Sequence, residues 1–464
     1  MNDRLSASDM SSLLAERGPI HVHVGATIVI EGRPPDFERL LEHVEARLAL
    51  VPRFRQRVTR TPLDLSNPVW TDDPRFDLRW HVRRAALPAP GGGAELRDLV
   101  GRIMSEPLDF GRPLWQLYLV EGVEGGRHAL VNKTHHALVD GVAAIDVGTV
   151  ILDPSPDGSE IELPDQEWDP EQPSPELLFV RAASDRIRGP LRAARKAALE
   201  ALTTPRETAG RVMRTAESFT QLAASGPTAP RTFLNHEIGR DRRVAYVDAG
   251  LEDLKAARGD GAATVNDVIL SVTTGALRRC FERRGEPLTE HLVALVPMSV
   301  RRPDEQLELG NRIATLLVRL PLAEADPAAR LDRIHAETSR LKASEQARAA
   351  SLVIEATGWT PPTVNRVLAD AISRPLSWNL TVSNVPGPQV PFYVLGNRIE
   401  AIYPFVPLSP QHHALSVGVL SYDGGVFFGL TGDRDLFTDI DALAAELEAA
   451  LAEQGAAARS ARRG

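Results

Sequence analysis

The sequence predicts a mixed α/β (α+β) protein of two lobes joined by a long, partly helical linker. The first sign is that strand-like and helix-like patterns alternate in two separate stretches, before residue 152 and after residue 231. The second is the break between them. DPSPDGSEIELPDQEWDPEQPSP, beginning at Asp153, is acidic and proline-rich, as an extended surface linker would be. The third is size, since 464 residues exceed what a single core usually holds. The expected units are 1–152, a linker at 153–230, and 231–464.

In the first lobe, Ile20 to Ile30 (IHVHVGATIVI) alternates apolar with small or polar residues and is rich in β-branched side chains, which predicts a strand. Asp36 to Leu50 sets Leu40, Leu41, Val44 and Leu48 at helical spacing, with Asp36 placed to cap. After an irregular stretch a second helix is expected near Glu95 to Ser105. Trp115 to Glu121 and His128 to Thr134 then read as a hairpin turned by Gly125-Gly126, and His135-His136 ends its second strand. A helical period follows Asp140-Gly141. Beyond the linker, Glu176 to Ala224 reads as helical pieces. From Arg181 to Arg214 these carry nine basic and three acidic residues, a face suited to solvent or to anionic headgroups.

The second lobe opens with a strand from Arg242, then a helix Val265 to Arg284 and strands His291 to Val300 and Ile313 to Pro321. Pro327 suits the first position of a helix running to Ala349, with Asp326 as its cap. Strands in HHALSVGVLSYDG and VFFGLTGD and a last helix, Ile440 to Glu453, complete the lobe.

Composition excludes several classes of function. A net charge of -9, from 53 basic and 62 acidic residues, argues against whole-protein affinity for nucleic acid. The single cysteine, Cys280, can form neither an internal disulfide nor a cysteine metal cage, which fits a reducing cytoplasm. The first thirty residues lack a secretory pattern, and no run approaches 18 apolar residues, so a cytosolic protein without a membrane span is expected.

The chemistry is concentrated in HHALVDG, His135 to Gly141, an HHxxxDG pattern. Adjacent strand residues point to opposite sides, so the two histidines cannot chelate one ion, and no metal is expected. One imidazole can instead face a cleft as general base, its ordinary pKa being near neutrality. Asp140, at the opening of a helix, can cap it and pair with an arginine, and Gly141 permits a tight turn. His412-His413 is followed by no DG and reads as structural or surface.

HHALVDG stands with GRPLW (Gly111 to Trp115), TVNDVIL (Thr264 to Leu270), VPMSVR (Val296 to Arg301), Gly310-Asn311 and SNVPGP (Ser383 to Pro388). In this order, and over nearly the whole chain, the set resembles the bacterial wax ester synthase/diacylglycerol acyltransferase family. HHxxxDG also occurs in condensation domains and other coenzyme A acyltransferases. The PLW, ND and NVPGP motifs narrow the likeness.

The resemblance implies two chloramphenicol-acetyltransferase-like lobes with a tunnel between them. It implies an acyl-CoA-dependent O-acyltransferase that makes triacylglycerol from diacylglycerol, or wax ester from a fatty alcohol, with acyl-CoA as co-substrate and no resident cofactor. His136 would take the alcohol proton, and the oxygen would attack the thioester directly. His135 would support the loop and Asp140 would form an orienting ion pair. The oxyanion would need a donor in a water-poor tunnel. Asn266 is the first candidate, with Ser383 and Asn384 as alternatives on the substrate-binding side. Asp267 falls in the same substrate-binding set, although a carboxylate beside developing negative charge would oppose the chemistry and favours a structural part.

Trp115 reads as a packing anchor and SNVPGP as a rigid turn. Cys280 should be dispensable. Ser416 stands where the family typically has asparagine. Apolar substrates and the basic segment imply peripheral attachment to the inner membrane face or to lipid droplets. The competing expectations are a condensation-type enzyme with a carrier-bound acyl donor and a non-catalytic lipid-droplet protein.

Overall fold

A computed structural model describes residues 5, 7–16, 18–62, 67–138, 151–158, 168–170, 229–259, 261–299, 313–343, 378–408 and 412–461, with isolated positions between 170 and 180. Asp140, Gly141, the helix expected after them and the basic segment Arg181 to Arg214 lie outside the described residues.

The N-terminal half begins with α1 (Ala7–Ala15), β1 (His23–Ile30) and α2 (Phe37–Arg47). The Asp36 carboxylate accepts the Glu38 N–H at 2.9 Å and caps α2 as its position predicts. A two-stranded ribbon, β2 (Gln56–Thr59) with β3 (Val69–Asp72), is followed by the one-turn α3 (Leu78–His81) and by β4 (Val82–Ala86). Next come α4 (Gly93–Ser105), β5 (Trp115–Val123) and β6 (Arg127–His135). β5 and β6 form the predicted hairpin.

The C-terminal half runs through β7 (Arg242–Gly250), α5 (Leu251–Ala256), α6 (Val265–Arg284), β8 (Leu292–Ser299), β9 (Ile313–Leu320) and α7 (Pro327–Ala343). It ends with β10 (Leu380–Pro386), β11 (Tyr393–Val394), β12 (Asn397–Phe405), β13 (Leu415–Tyr422), β14 (Gly425–Asp433) and α8 (Ile440–Ala461). α6 starts with a reciprocal capping box between Thr264 and Asp267 and stops at Gly285, whose φ of 67° suits glycine.

Each half builds a six-stranded sheet. The first has the order β11-β12-β1-β6-β5-β4, the second β7-β14-β13-β10-β8-β9. Each sheet has its own apolar core, one gathered around α2 and α4 and the other around α6, α7 and α8.

The simple division at residue 231 needs one amendment. β11 and β12 leave the C-terminal half and complete the N-terminal sheet, with Thr27 of β1 paired antiparallel to Tyr403 of β12. The physical reason lies in SNVPGP: β10 ends at Pro386, which has no N–H to extend the ladder, and Gly387 and Pro388 follow outside regular structure.

Small residues let the crossing strand pack against the second sheet. Gly418 of β13 and Gly429 of β14 oppose each other, and a Cβ on Gly429 would stand 1.9 Å from the Pro404 carbonyl oxygen. Alongside, Tyr246 of β7 stacks on Tyr403 at 4.2 Å and shares a 2.7 Å hydrogen bond with the Thr27 hydroxyl. No helix among the described residues is long and apolar enough to cross a membrane.

Candidate active site

The HHxxxDG histidines sit at the end of β6, where the strand passes into a single 3-10 turn, His136–Leu138. His135 is fully buried, whereas His136 is exposed, so the pair divides between interior and surface as alternation requires. The His135 N–H donates to the Leu114 carbonyl and the His136 N–H to the Val22 carbonyl, both at 2.9 Å. Leu114 belongs to the PLW motif, so that motif supports the loop through its backbone.

Trp115 lies beneath. Its indole N–H donates to the Phe54 carbonyl at 2.7 Å, and its ring stacks on His81 at 4.6 Å. Burial lowers the His81 imidazole to about 4, so this ring is neutral at pH 7.

The ring of His135 is fixed on both edges. Nδ1 accepts the Ala137 N–H at 3.0 Å, which puts the ring proton on Nε2; that nitrogen lies 2.8 Å from Oε2 of Glu16, a close charge contact without the alignment of a hydrogen bond. Burial would raise the Glu16 carboxyl, but its contacts with His135 and His21 outweigh that and hold it well below the usual carboxylate range. Ser12, one helical turn before Glu16, places its Oγ 3.4 Å from Nδ1 of His136. Sequence reasoning missed both residues because it did not recognise α1. The four-residue spacing of Ser12 and Glu16 was the available signal.

His23, paired in register with His135, is also fully buried, and burial followed by the Lys133 charge pulls it well below 6.5. Glu16, His21 and His23 bring donor atoms within 4.8 Å of one another, which in principle suits a cation. The ammonium of Lys133, whose charge acts on both Glu16 and His23, opposes one. Lys133 itself closes the end of α4, donating to the Ile103 carbonyl at 2.7 Å and to that of Glu106. Burial brings it down to about 8.

A polar cleft of about 580 Å³ opens where the two halves meet, lined by Glu16, His21 and Arg102 from one and by Arg240, Asp241 and Arg434 from the other. Glu16 thus touches both the cleft and His135.

The ND motif separates into two roles. Asn266 is the second residue of α6, in the first turn of a 20-residue helix whose N-terminal end is electropositive. Its Oδ1 accepts from Asn384 Nδ2 at 3.3 Å, while its own Nδ2 is buried without an acceptor among the described residues. The structure therefore brings Asn266 and Asn384 together across α6 and β10. Ser383, half-buried, precedes Asn384 on that strand.

Asp267, grouped with the substrate-binding residues although a structural part is favoured, is held by structural contacts. It is fully buried and accepts the Thr264 N–H at 2.8 Å and the Thr338 hydroxyl at 2.7 Å, with His335 Nδ1 at 2.9 Å. Burial raises this carboxyl, yet the bonds from Thr264, His335 and Thr338 bring it below its ordinary value. Ser416 is buried, and its hydroxyl donates to the Pro407 carbonyl at 2.9 Å. His413 is buried against Trp378, stacked at 4.4 Å, as a structural histidine would be. Cys280 is buried within α6, and burial raises its thiol.

Comparison with known proteins agrees with this layout. Residues 5–269 match the wax ester synthase/diacylglycerol acyltransferase catalytic domain, and residues 309–454 match the C-terminal domain of the same family. A probable diacylglycerol O-acyltransferase of Mycobacterium tuberculosis is 32% identical over 97% of this chain and 95% of its own length. A putative diacylglycerol O-acyltransferase of the same organism is 33% identical over 98% and 97%. Among solved structures, the wax ester synthase/diacylglycerol acyltransferase of Marinobacter aquaeolei VT8 is similar at a TM-score of 0.67 and 28% identity, over 98% of this chain and 99% of that one. The starter condensation domain of rhizomide synthetase shares the two-lobed fold alone, with a TM-score of 0.57 and 14% identity over 98% and 94%. Motif order, sheet topology and these matches over nearly the full length agree: the chain belongs to the wax ester synthase/diacylglycerol acyltransferase family.

Proposed function

We propose that the protein transfers an acyl group from acyl-CoA to the hydroxyl of diacylglycerol or of a long-chain alcohol, with acyl-CoA as co-substrate and no resident cofactor. The observation that carries this is the divided histidine pair, with His135 locked in the interior and His136 presented at the surface of the loop. Family membership supports the substrate class.

In this mechanism His136 Nε2 takes the proton from the acceptor hydroxyl, and the oxygen attacks the thioester carbonyl. Negative charge gathers on the carbonyl oxygen of the tetrahedral intermediate, where Nδ2 of Asn266, without an acceptor among the described residues, is the donor, with Asn384 holding the Asn266 amide in place. The carbon–sulfur bond then breaks, and the leaving thiolate recovers the proton from His136. No acyl-enzyme forms, and the buried Cys280 takes no part. Asp140 is assigned the orienting ion pair and Gly141 the turn behind it.

Attachment to the inner membrane face or to lipid droplets belongs to the same proposal, since both products are apolar. Flotation with anionic vesicles tests it, and absence of binding would count against it.

The decisive assay is coenzyme A release from palmitoyl-CoA with dipalmitoylglycerol, hexadecanol or no acceptor, with His136→Ala alongside. Acceptor-dependent release that vanishes in the folded variant supports the mechanism, and the two acceptors rank the substrate. Equal silence of wild type and variant would turn the assignment toward a carrier-bound donor or a binding protein.

A further inference from the structure

We infer that α1 and the residue that follows it form a two-point clamp on the histidine pair, with Ser12 setting the tautomer of His136 and Glu16 holding the ring of His135. The inference rests on His136 being the base of the proposed reaction. It assigns positioning roles to two residues that lie outside every motif.

Ser12 lies in the last turn of α1, and Glu16 immediately follows that helix, four residues on. Each residue meets a different histidine, Ser12 at His136 and Glu16 at His135. At His136 the hydroxyl lies on the Nδ1 side at 3.4 Å. A proton kept on Nδ1 and donated to Ser12 leaves the lone pair on Nε2, which is the nitrogen a base must offer. The opposite tautomer would present an N–H to the acceptor hydroxyl and could not take its proton.

At His135 both ring nitrogens have a polar neighbour. Nδ1 accepts from the Ala137 amide, so Nε2 carries the proton and faces Glu16 at 2.8 Å. The Ala137 amide is the peptide that follows His136, so the His135 ring is coupled to the turn that aims the base. Glu16 is itself held by the Val22 N–H at 3.4 Å and by His21 Nδ1 at 3.7 Å, which ties the clamp to the entry of β1. Neither Ser12 nor Glu16 needs to touch substrate.

The test uses the full chain with ¹⁵N-labelled histidine. Long-range ¹H–¹⁵N correlation reads the tautomer of each ring, and the His136 signals are assigned by their loss in His136→Ala. The expected wild-type pattern is Nδ1–H at His136 and Nε2–H at His135. Ser12→Ala should move His136 toward Nε2–H, with Ser12→Thr restoring the wild-type pattern.

In turnover, Ser12→Ala should lower kcat about tenfold with KM within about twofold, as expected for one positioning hydrogen bond. Glu16→Ala should lower kcat about 10- to 100-fold, and Glu16→Gln, which keeps an acceptor, should recover most of that loss. An unchanged His136 tautomer in Ser12→Ala, or equal kcat in Glu16→Ala and wild type, would overturn the clamp. Because the tautomers are read without turnover, an inactive wild type would count against the proposed reaction while the spectra still decided the clamp.

Discussion

Removing the Asp267 carboxylate should damage the fold rather than the chemistry. In Asp267→Ala one half of the capping box is lost, the bond from the Thr264 N–H to the carboxylate, at about 1 kcal/mol, while the Thr264 hydroxyl still accepts the N–H of residue 267. The hydrogen bond from Thr338 to a charged acceptor is lost as well, at about 1.5–3 kcal/mol. Thr338 is not stranded, because its hydroxyl also lies 3.1 Å from the His335 carbonyl oxygen, and the His335 side chain, 29% exposed, can turn to water. The expected loss is therefore about 3 kcal/mol, the lower part of the sum of these two terms. Urea unfolding at pH 7 measures it.

The sign with pH follows from the depressed carboxyl. The contribution is present in full above the ordinary value of 3.8 and is lost as pH falls through the lower folded value, so wild type and variant should converge in acid. Activity per folded molecule should stay near wild type. A variant that unfolds within about 1 kcal/mol of wild type but loses turnover would refute the structural assignment and put Asp267 in the reaction.

Three further outcomes follow from the same geometry. Asn266→Ala should show the reverse profile, with stability within about 1 kcal/mol of wild type because an unsatisfied amide is removed, and kcat lowered about 100-fold by loss of the oxyanion donor; unchanged kcat would shift that role to Ser383 or Asn384. For Lys133, a folded pKa of about 8 against an ordinary 10.5 means that the unfolded chain holds a proton the folded chain lacks between those values, so stability relative to Lys133→Met should rise by about 3 kcal/mol from pH 7 to pH 10.5. A flat difference across that range would contradict the burial of the ammonium. Native protein at neutral pH should resist alkylation of Cys280 by iodoacetamide, and Cys280→Ala should keep acceptor-dependent turnover, whereas inactivation by the reagent before unfolding would assign the thiol a part.

What the sequence disclosed and what it concealed divide along the range of the interactions. The β5–β6 hairpin, α2 with its Asp36 cap and α6 with its Thr264 start are set by neighbours within a few residues, and each is present where the pattern predicts. The histidine pair and the Asn266 turn were legible for the same reason, being short motifs on such elements. β12 was not. A bulge shifts its pairing with β1 between Val29 and Ile30, and Pro404 lies within the strand, so neither alternation nor composition marks it. The ribbon of β2 and β3 and the edge strand β4 are only four or five residues long, and they read as irregular chain. Glu16 and Ser12 were hidden because their partners lie more than a hundred residues away, and only the folded chain pairs them.

The crossing of β12 bears on how the chain comes to exist. A nascent polypeptide that has reached the linker already contains β1, β5 and β6, yet one edge of β1 stays open until residues 397–405 have been made. An exposed strand edge invites pairing with other chains, so the growing N-terminal half is vulnerable for about 250 codons of further synthesis, from Asp153 to Phe405. Separately expressed halves would meet the same difficulty, since a cut in the linker leaves the first piece lacking two strands and the second carrying two strands with no sheet of their own. The lobes are therefore two in shape but one in assembly, closed by a strand that arrives late.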